Sequence, residues 1–352
     1  MTQPKAIDFF AGAGGLSEGL KRAGFEVVLA NEINADAAST YASNHPETRM
    51  LVKDIRKITV GEIMDLIGEK PDLIAGGPPC QGFSTNGRRQ PNDPRNMMIR
   101  EFFLKVKGTR PNFFLMENVP GLLYMQGGRL LASLTKSFEK IGYSVTLEML
   151  NAADFGVPQM RKRVFLLGSL CGKIDTSKLH VDLERKVTVA EAISDLDFVD
   201  AGESSNMHAK RPESAYQRQV RGGIRFLYNH EAARHNSVVT QRFSSLKPGQ
   251  SSQDLPLKLR TKKRVLFRLD GSKPCRTVTT LPDDYIHYSL NRTLTVREYA
   301  RLQSFNDSYV FLGPKTTGGE SRKFGTPQFT QVANAIPPLL AQAVCKEILK
   351  LT

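Results

Sequence analysis

The sequence predicts a doubly wound, mostly parallel α/β sheet joined to a smaller, β-rich and irregular second domain. Three observations predict it. The chain opens as strand, glycine turn and helix, in Ala6 to Phe10, Ala11-Gly12-Ala13-Gly14-Gly15 and Leu16 to Ala23, which is how such sheets begin. Short apolar runs bounded by breakers then alternate with helical stretches as far as Gly168, the pattern of strands buried in a parallel sheet. From about Asp182 the alternation stops and the chain becomes irregular, with Gly222-Gly223, several prolines and few long apolar runs.

In the first helix Leu16, Leu20 and Ala23 share one face. The glycines before it let a ligand approach the backbone, and the helix start offers unpaired N–H groups to a carboxylate or phosphate. Leu16 and Ser17 stand where a dinucleotide fingerprint wants its third glycine, so a ligand without a pyrophosphate is expected. The plain alternative is a turn that only joins strand to helix. Phe25 to Asn31 reads as the second strand and ends at Glu32-Ile33. An acid in that place suits both ribose hydroxyls, or it caps the helix Ala35 to Ser43. A third strand is expected near Met50 to Lys53, before Asp54-Ile55.

Pro71 to Ala75 reads as a central strand running into Gly76-Gly77-Pro78-Pro79-Cys80-Gln81-Gly82-Phe83-Ser84. Each proline fixes its own φ, so the backbone largely sets the direction of the Cys80 side chain. A free thiol usually fills a small apolar hole, but such a residue needs neither a Pro-Pro brace nor a polar loop after it. Cys80 is therefore the candidate nucleophile. The loop from Thr85 to Pro94 is polar and basic, and Arg88 and Arg89 could close over a phosphate backbone or simply face solvent. A helix over Arg95 to Lys107 follows, with Met98, Phe102 and Val106 apolar.

Pro111 to Met116 is a buried strand that delivers Glu117-Asn118-Val119 at its carboxyl end, where doubly wound folds place ligands. A helix over Gly127 to Ile141 and a strand over Tyr143 to Leu150 lead to Gln159-Met160-Arg161-Lys162-Arg163. Alternation puts Arg161 and Arg163 on one face as the chain enters the strand Val164 to Gly168.

Lys and Arg total 49 against 35 Asp and Glu, a net charge of +14, which points to a polyanionic partner. Most of it is concentrated. Between Asn206 and Asp270 fourteen cations face four acids, interleaved with Tyr216, Phe226, Tyr228, Phe243 and Phe267, which suits a domain that meets phosphates and offers arginines to guanine edges. Cys275 to Thr280 reads as a strand, and Thr295 with Glu298 forms a capping box for the helix 295–303. Gln331 to Pro338 leads into an amphipathic helix over Leu339 to Leu349.

The 352 residues suit two domains: 1–181 catalytic, 182–325 basic, and 326–352 returning to the first. Cys80, Cys171, Cys275 and Cys345 lack the spacing of a zinc site or a disulfide framework, so no metal and a reducing compartment are expected. The N-terminus enters its first strand without a signal-peptide pattern, and no run of about 18 apolar residues occurs. A cytoplasmic protein with no membrane contact is expected.

Pro78-Pro79-Cys80-Gln81 and the glycines before it resemble the nucleophile motif of the DNA (cytosine-5)-methyltransferase family, and eight such motifs follow family order over nearly the whole chain outside the basic segment. The resemblance implies an S-adenosylmethionine-dependent methyltransferase with a Rossmann-like sheet, releasing S-adenosylhomocysteine, of the bacterial type II restriction-modification branch. Carried over residue by residue, it puts Phe10, Ala11, Gly12, Gly14, Gly15 and Leu16 in the cofactor loop, Glu32 on the ribose, and Phe10 and Ile33 about the adenine. Asp54 and Ile55 stand at the adenine edge, and Pro78, Met98, Asn334 and Ala335 complete the cofactor positions. Glu117 belongs to the Glu-Asn-Val motif, and Arg161 and Arg163 are the arginines that approach the cytosine O2 and the sulfur. The basic segment becomes the target-recognition domain, braced by the helix 295–303, with Ser84, Arg88, Arg89, Arg225, Arg242 and Thr279 as DNA contacts. Asn306 departs from the proline usual there.

Cytosine C5 is a poor nucleophile, so a thiolate adding to C6 is needed to activate it, and the base must first leave the duplex. The expectation is a monomer acting on double-stranded DNA in the cytoplasm, at the nucleoid while at work, with a restriction endonuclease of the same site as a possible companion and no stable protein partner. Two other readings exist. An RNA cytosine-5 methyltransferase is disfavoured by the large basic segment and the lack of a Cys-Phe-Thr element, and a catalytically dead DNA-binding regulator is disfavoured by intact Cys80, Glu117, Arg161 and Arg163.

Overall fold

The computed structural model describes residues 3–79, 96–179, 185–263, 265–316 and 325–352. Cys80, Ser84, Arg88 and Arg89, with the loop expected to carry them, lie outside the described residues. The chain divides into two compact units, one of residues 1–151, 162–182 and 338–352, the other of residues 152–161 and 183–337. Residues 152–161 and 326–337 thus group with the second unit, whereas the boundaries read from the sequence put both outside it.

The first unit contains strands β1 (Lys5–Phe9), β2 (Glu26–Glu32), β3 (Arg49–Val52), β4 (Leu73–Gly76), β5 (Phe113–Asn118), β6 (Ser144–Asn151) and β7 (Lys162–Ser169). Its helices are α1 (Gly15–Ala23), α2 (Ala35–Asn44), α3 (Val60–Ile67), α4 (Asn96–Thr109), α5 (Arg129–Lys140) and α6 (Pro338–Leu349). The sheet order is β3-β2-β1-β4-β5-β7-β6, in which β7 runs antiparallel to both neighbours. Only 152–161 separate β6 from β7, too few for the crossover that a parallel pair requires.

Ile7, Phe9, Ile74, Phe114, Met116 and Leu166 are fully buried, because helices cover both faces of the central strands and the strands read as continuous apolar runs. Gly76 is required at the end of β4, where a Cβ would come within 2.5 Å of the Phe9 carbonyl oxygen. The C-terminal helix α6 returns to pack on α1, and the Gln342 amide donates to the Arg22 carbonyl at 3.1 Å. Helix α3 was not expected, although Thr59 caps it by accepting from Glu62 N–H and Val60, Ile63 and Ile67 carry the helical spacing.

The second unit is irregular as expected, but its described residues are not β-rich. Its described strands are two residues long, Gln159–Met160 beside Cys275–Arg276 and Phe267–Arg268 beside Tyr285–Ile286. The strand expected over Cys275 to Thr280 stops at Arg276, and Val278 N–H donates to the Gln159 side chain instead. Short helices fill the rest, among them Val189–Ile193, Ala215–Arg221, Ser237–Ser244, Val296–Leu302 and Gln328–Asn334. The physical reason is that buried guanidiniums satisfy carbonyls that a β ladder would otherwise pair. Arg268 donates to Phe243, His287 and Leu290, Arg292 to Val199 and Thr293, and Arg297 to Tyr228, Asn306 and Tyr309.

Every residue of the helix Val296–Leu302 is buried, and its Thr295/Glu298 capping box is formed. Arg292 pairs with Glu298 at 2.7 Å, and Arg301 pairs with Asp195 and Asp307. Where the family has proline, the Asn306 carbonyl accepts from Arg297 and from Tyr309 N–H, so the turn is held without the ring.

Candidate active site and cofactor cradle

At the carboxyl end of β1 the chain turns through Phe10, with φ 58°, and Gly12, with φ 55°. A left-handed phenylalanine is strained, and such strain is retained where a local geometry is required. The turn is pinned from β2: Ala11 N–H donates to the Asn31 carbonyl at 3.0 Å, and Gly12 N–H donates to Glu32 Oε2 at 2.9 Å. Glu32 Oε1 accepts from Asn34 N–H at 2.8 Å. Burial raises the Glu32 carboxyl, against the lowering effect of these N–H bonds.

A Cβ built on Gly12 would meet nothing within 4 Å, and Ile33 beyond the strand is 66% exposed. The open space, the acid and the exposed apolar residue together fit a nucleoside. Asp54 is held to about 2 by the Arg56 side chain and backbone N–H, while the Ile55 side chain belongs to the apolar core. Met98 is half-buried against that same core. Gly14 closes the turn as the left-handed N-cap of α1, which begins with the buried Gly15 and Leu16.

Beneath this turn lies a group that the sequence reading missed. Asp8 has no exposure, its Oδ2 accepts from Ser17 Oγ at 2.7 Å, and Ser17 Oγ lies 2.7 Å from Tyr41 Oη. Burial pushes Asp8 up to about 7, opposed by the Ser17 hydrogen bond. The three residues join β1, α1 and α2 under the glycine turn. A charged residue inside an apolar strand was the available signal.

At the far end of β5, Glu117 is buried and Arg163 Nε of β7 stands 2.8 Å from its Oε1. The guanidinium also donates to the Lys162 carbonyl at 2.7 Å, and burial lowers Arg163 while Glu117 opposes that shift. Asn118 Nδ2 donates to the Pro78 carbonyl at 3.0 Å, and its Oδ1 accepts from Val119 N–H. One motif therefore supplies the buried carboxylate and ties down the proline turn before Cys80. The register explains this meeting, since Glu117 pairs with Phe165 and Asn118 with Val164 across an antiparallel ladder.

In the second unit, Arg161 is fully buried and donates to the carbonyls of Ala333 at 2.7 Å and Ala335 at 3.2 Å. Gln159 donates to the Leu302 carbonyl and to the Gln303 side chain. Asn334, the exposed last residue of its helix, and Ala335 follow from this brace. Arg225 is exposed, Arg242 Nε donates to the Leu259 carbonyl at 2.8 Å, and the Thr279 hydroxyl donates to Asp284 at 2.7 Å. Thus Arg163 and Glu117 come together in one unit, and Arg161, Asn334 and Ala335 in the other.

Among the described residues no group of three or more His, Cys, Asp or Glu could hold a metal, and no helix is long and apolar enough to cross a membrane. Cys275 and Cys345 are buried, with thiols pushed well up by burial, and Cys171 is exposed.

A seven-stranded sheet with one reversed strand, a glycine turn feeding α1 and an acid closing β2 define a methyltransferase fold. The profile described as C-5 cytosine-specific DNA methylase matches residues 4–350, and the chain belongs to that family. It is 38% identical to the type II methyltransferase M.DdeI of Desulfomicrobium norvegicum, over 97% of this chain and 88% of the relative. It is 39% identical to M1.HphI of Haemophilus parahaemolyticus, over 98% and 86%. Among solved structures, a candidate DNA modification methyltransferase encoded within an E. coli prophage covers 99% of both chains at TM-score 0.82 and 28% identity. The protein is a DNA cytosine-5 methyltransferase of the type II restriction-modification kind.

Proposed function

We propose that the enzyme methylates C5 of a cytosine flipped out of duplex DNA, through a covalent adduct between Cys80 and C6, at one short sequence that a companion endonuclease also recognises. The observation that carries this reading is the buried Glu117–Arg163 pair at the end of β5, next to the asparagine that holds the proline turn.

Cys80 attacks as a thiolate: the sulfur–C6 bond forms while electron density moves onto C5. Glu117 donates a carboxyl proton to N3 and accepts from the exocyclic amine, so that negative charge is drawn into the ring as the bond forms. Arg163 keeps Glu117 in place and, with Arg161, offsets charge at O2. When bound, S-adenosylmethionine supplies the electrophilic methyl group. A base, for which a water molecule suffices, then takes the C5 proton; the freed electron pair re-forms the C5–C6 double bond and expels Cys80 as thiolate. Extrusion of the base costs a few kcal/mol, which contacts to the DNA must offset.

For the cofactor, Glu32 accepts the ribose hydroxyls, Phe10 and Ile33 flank the adenine, and the N–H groups at the start of α1 face the carboxylate. Asp54, Ile55, Pro78, Met98, Asn334 and Ala335 keep the cofactor roles that the family resemblance implies. The basic segment binds DNA through phosphates and base edges, with Arg225 and Arg242 as contacts, and Thr279 with Ser84, Arg88 and Arg89 of the loop after Cys80 adds further contacts from outside that segment. The working form is a cytoplasmic monomer, at the nucleoid while it acts.

Cys80→Ser is expected to abolish methyl transfer while keeping DNA affinity. A duplex carrying 5-fluorocytosine at the target should give a denaturant-stable complex with the wild type and none with that variant, because fluorine cannot leave as a cation. Substantial turnover by Cys80→Ser would refute the adduct. Glu117→Gln should slow transfer by at least about a hundred-fold with cofactor affinity retained, as read by tritium transfer and equilibrium dialysis.

A further inference from the structure

In the second unit, residues 203–208 and 225–232 form an antiparallel ribbon. Met207 pairs with Phe226 and Ser204 with Glu231, and Ser205, His208, Leu227 and Ala232 N–H groups donate across it. Side chains two apart on a strand share a face, and directly paired residues do too. Met207 and Phe226, directly paired, therefore stand on one face, and Tyr228 is exposed beside them where Tyr228 and Asn229 interrupt the register; the three form a ridge, 51%, 61% and 42% exposed, while the intervening Leu227 is buried. A ribbon facing water should show the reverse, with polar residues outward.

The ridge is not a loose loop. Arg297, in the fully buried helix, donates its Nε to the Tyr228 carbonyl at 2.8 Å and its N–H to the Asn229 carbonyl at 3.0 Å. Asn229, at φ 60°, exchanges two side-chain hydrogen bonds with the Phe311 backbone, at 2.8 and 2.9 Å. His230 is held between Thr295 and the Leu196 carbonyl. Rigid presentation of apolar side chains lowers the ordering cost of binding. Arg225, next to Phe226 in the chain, is exposed, and although Glu203 and Glu231 of the ribbon are exposed too, the segment from Asn206 to Asp270 carries fourteen cations against four acids, so the charge of this segment favours a polyanion over an apolar protein partner.

We propose that Met207, Phe226 and Tyr228 form a base-contacting ridge, which stacks on bases or packs on thymine methyl groups and supplies the sequence-selective part of DNA binding. A two-stranded ribbon fits the major groove, where methyl groups are read by apolar contact and aromatic faces stack on bases that have left the helix. The neighbouring arginines supply the sequence-independent, salt-dependent part. This inference rests on the DNA-methylating reading given above.

The chain contains no tryptophan, so Phe226→Trp places a lone indole on the ridge. Its fluorescence should be quenched on titration with a duplex carrying the target site, and an unchanged spectrum under conditions where a mobility shift shows binding would overturn the proposal. In the full-length enzyme, Met207→Ser with Phe226→Ala and Tyr228→Ala should weaken specific binding by at least about ten-fold. The dependence on salt should stay as in the wild type, whereas Arg225→Ala should reduce the salt slope by about one. Equilibrium dialysis of S-adenosylmethionine reports whether the first unit stays intact. Wild-type affinity and an unaltered site spectrum in bisulfite-sequenced plasmid would sink the ridge while leaving the enzyme a DNA methyltransferase. A change in oligomeric state on size-exclusion, with DNA binding unaffected, would reassign the ridge to self-association. Wild-type enzyme that methylates no duplex would sink the underlying reading as well.

Discussion

The two units satisfy the same requirement, that buried backbone groups find partners, by different means. In the first, the ladders of a seven-stranded sheet do it, and the interior around Ile7, Phe9, Ile74 and Phe114 is free to be hydrocarbon. In the second, the described strands are two residues long, and the buried side chains include Arg268, Arg292, Arg297 and Arg301 with Asp195, Glu298 and Asp307. A core without ladders must import hydrogen-bond donors, and a guanidinium brings five of them. Such a core depends on exact pairing, because a buried charge that loses its partner costs far more than a lost methylene group.

The widest separation between the units should come from Arg301→Met. It leaves Asp195 and Asp307 buried without their shared guanidinium, and is expected to cost about 3–5 kcal/mol. Urea unfolding measures the loss, and region-resolved hydrogen exchange should place it in residues 183–337. Loss of protection only in the sheet would break the comparison.

Asp8 in the first unit should respond to pH with a sign opposite to that of His230, His287 and Glu298 in the second, whereas His45 of the first unit, lowered by burial from 6.5 to about 4, sides with the second unit's histidines. In the second, burial lowers His230 and His287 from 6.5 to about 4, and Glu298, buried but paired with Arg292, is lowered from 4.5 to about 2. The unfolded chain binds these protons first, so this stability is present above about pH 6.5 and is lost as pH falls, first through the histidines and then through Glu298. In the first unit Asp8 is raised from 3.8 to about 7. Its folded form holds the proton, so stability falls by up to about 1.4 kcal/mol per pH unit as pH rises from about 4 to 7. Asp8→Asn should remove that slope and leave the acid sensitivity of residues 183–337 unchanged, as read by thermal melts from pH 5 to 8. An unchanged slope would show that Asp8 does not carry it.

The smallest effect should be Ile74→Val in the sheet, about 0.5–1.5 kcal/mol and the same at every pH. A pH-dependent loss there would mean that the hydrocarbon core and the Asp8 network are not separable.

The opening strand, turn and helix were legible because each is local: glycines mark the turn, and the 3.6-residue spacing marks α1. So was the Thr295/Glu298 capping box, whose two residues lie three apart, and so was the place of Glu32 at the end of β2, though not its bond to Gly12, twenty residues away. The pairing of Glu117 with Arg163 was not legible, since it depends on the antiparallel register of two strands far apart in the chain. Nor was the contact of Asp8 with Ser17 and Tyr41, which requires β1, α1 and α2 to be packed. The second unit misled the strand assignment because its short apolar runs end in hydrogen bonds to side chains, and no local pattern distinguishes these from a ladder.

By itself the sequence determined the βα alternation, the position of the cysteine after two prolines, the concentration of positive charge between Asn206 and Asp270, and the family. These follow from short-range stereochemistry and composition. Tertiary structure decided which arginine meets which carboxylate, that Asp8 is sealed under the glycine turn, and that an aromatic ridge stands outward on an arginine-held frame. Those outcomes depend on burial and on partners distant in sequence, and no local pattern encodes either.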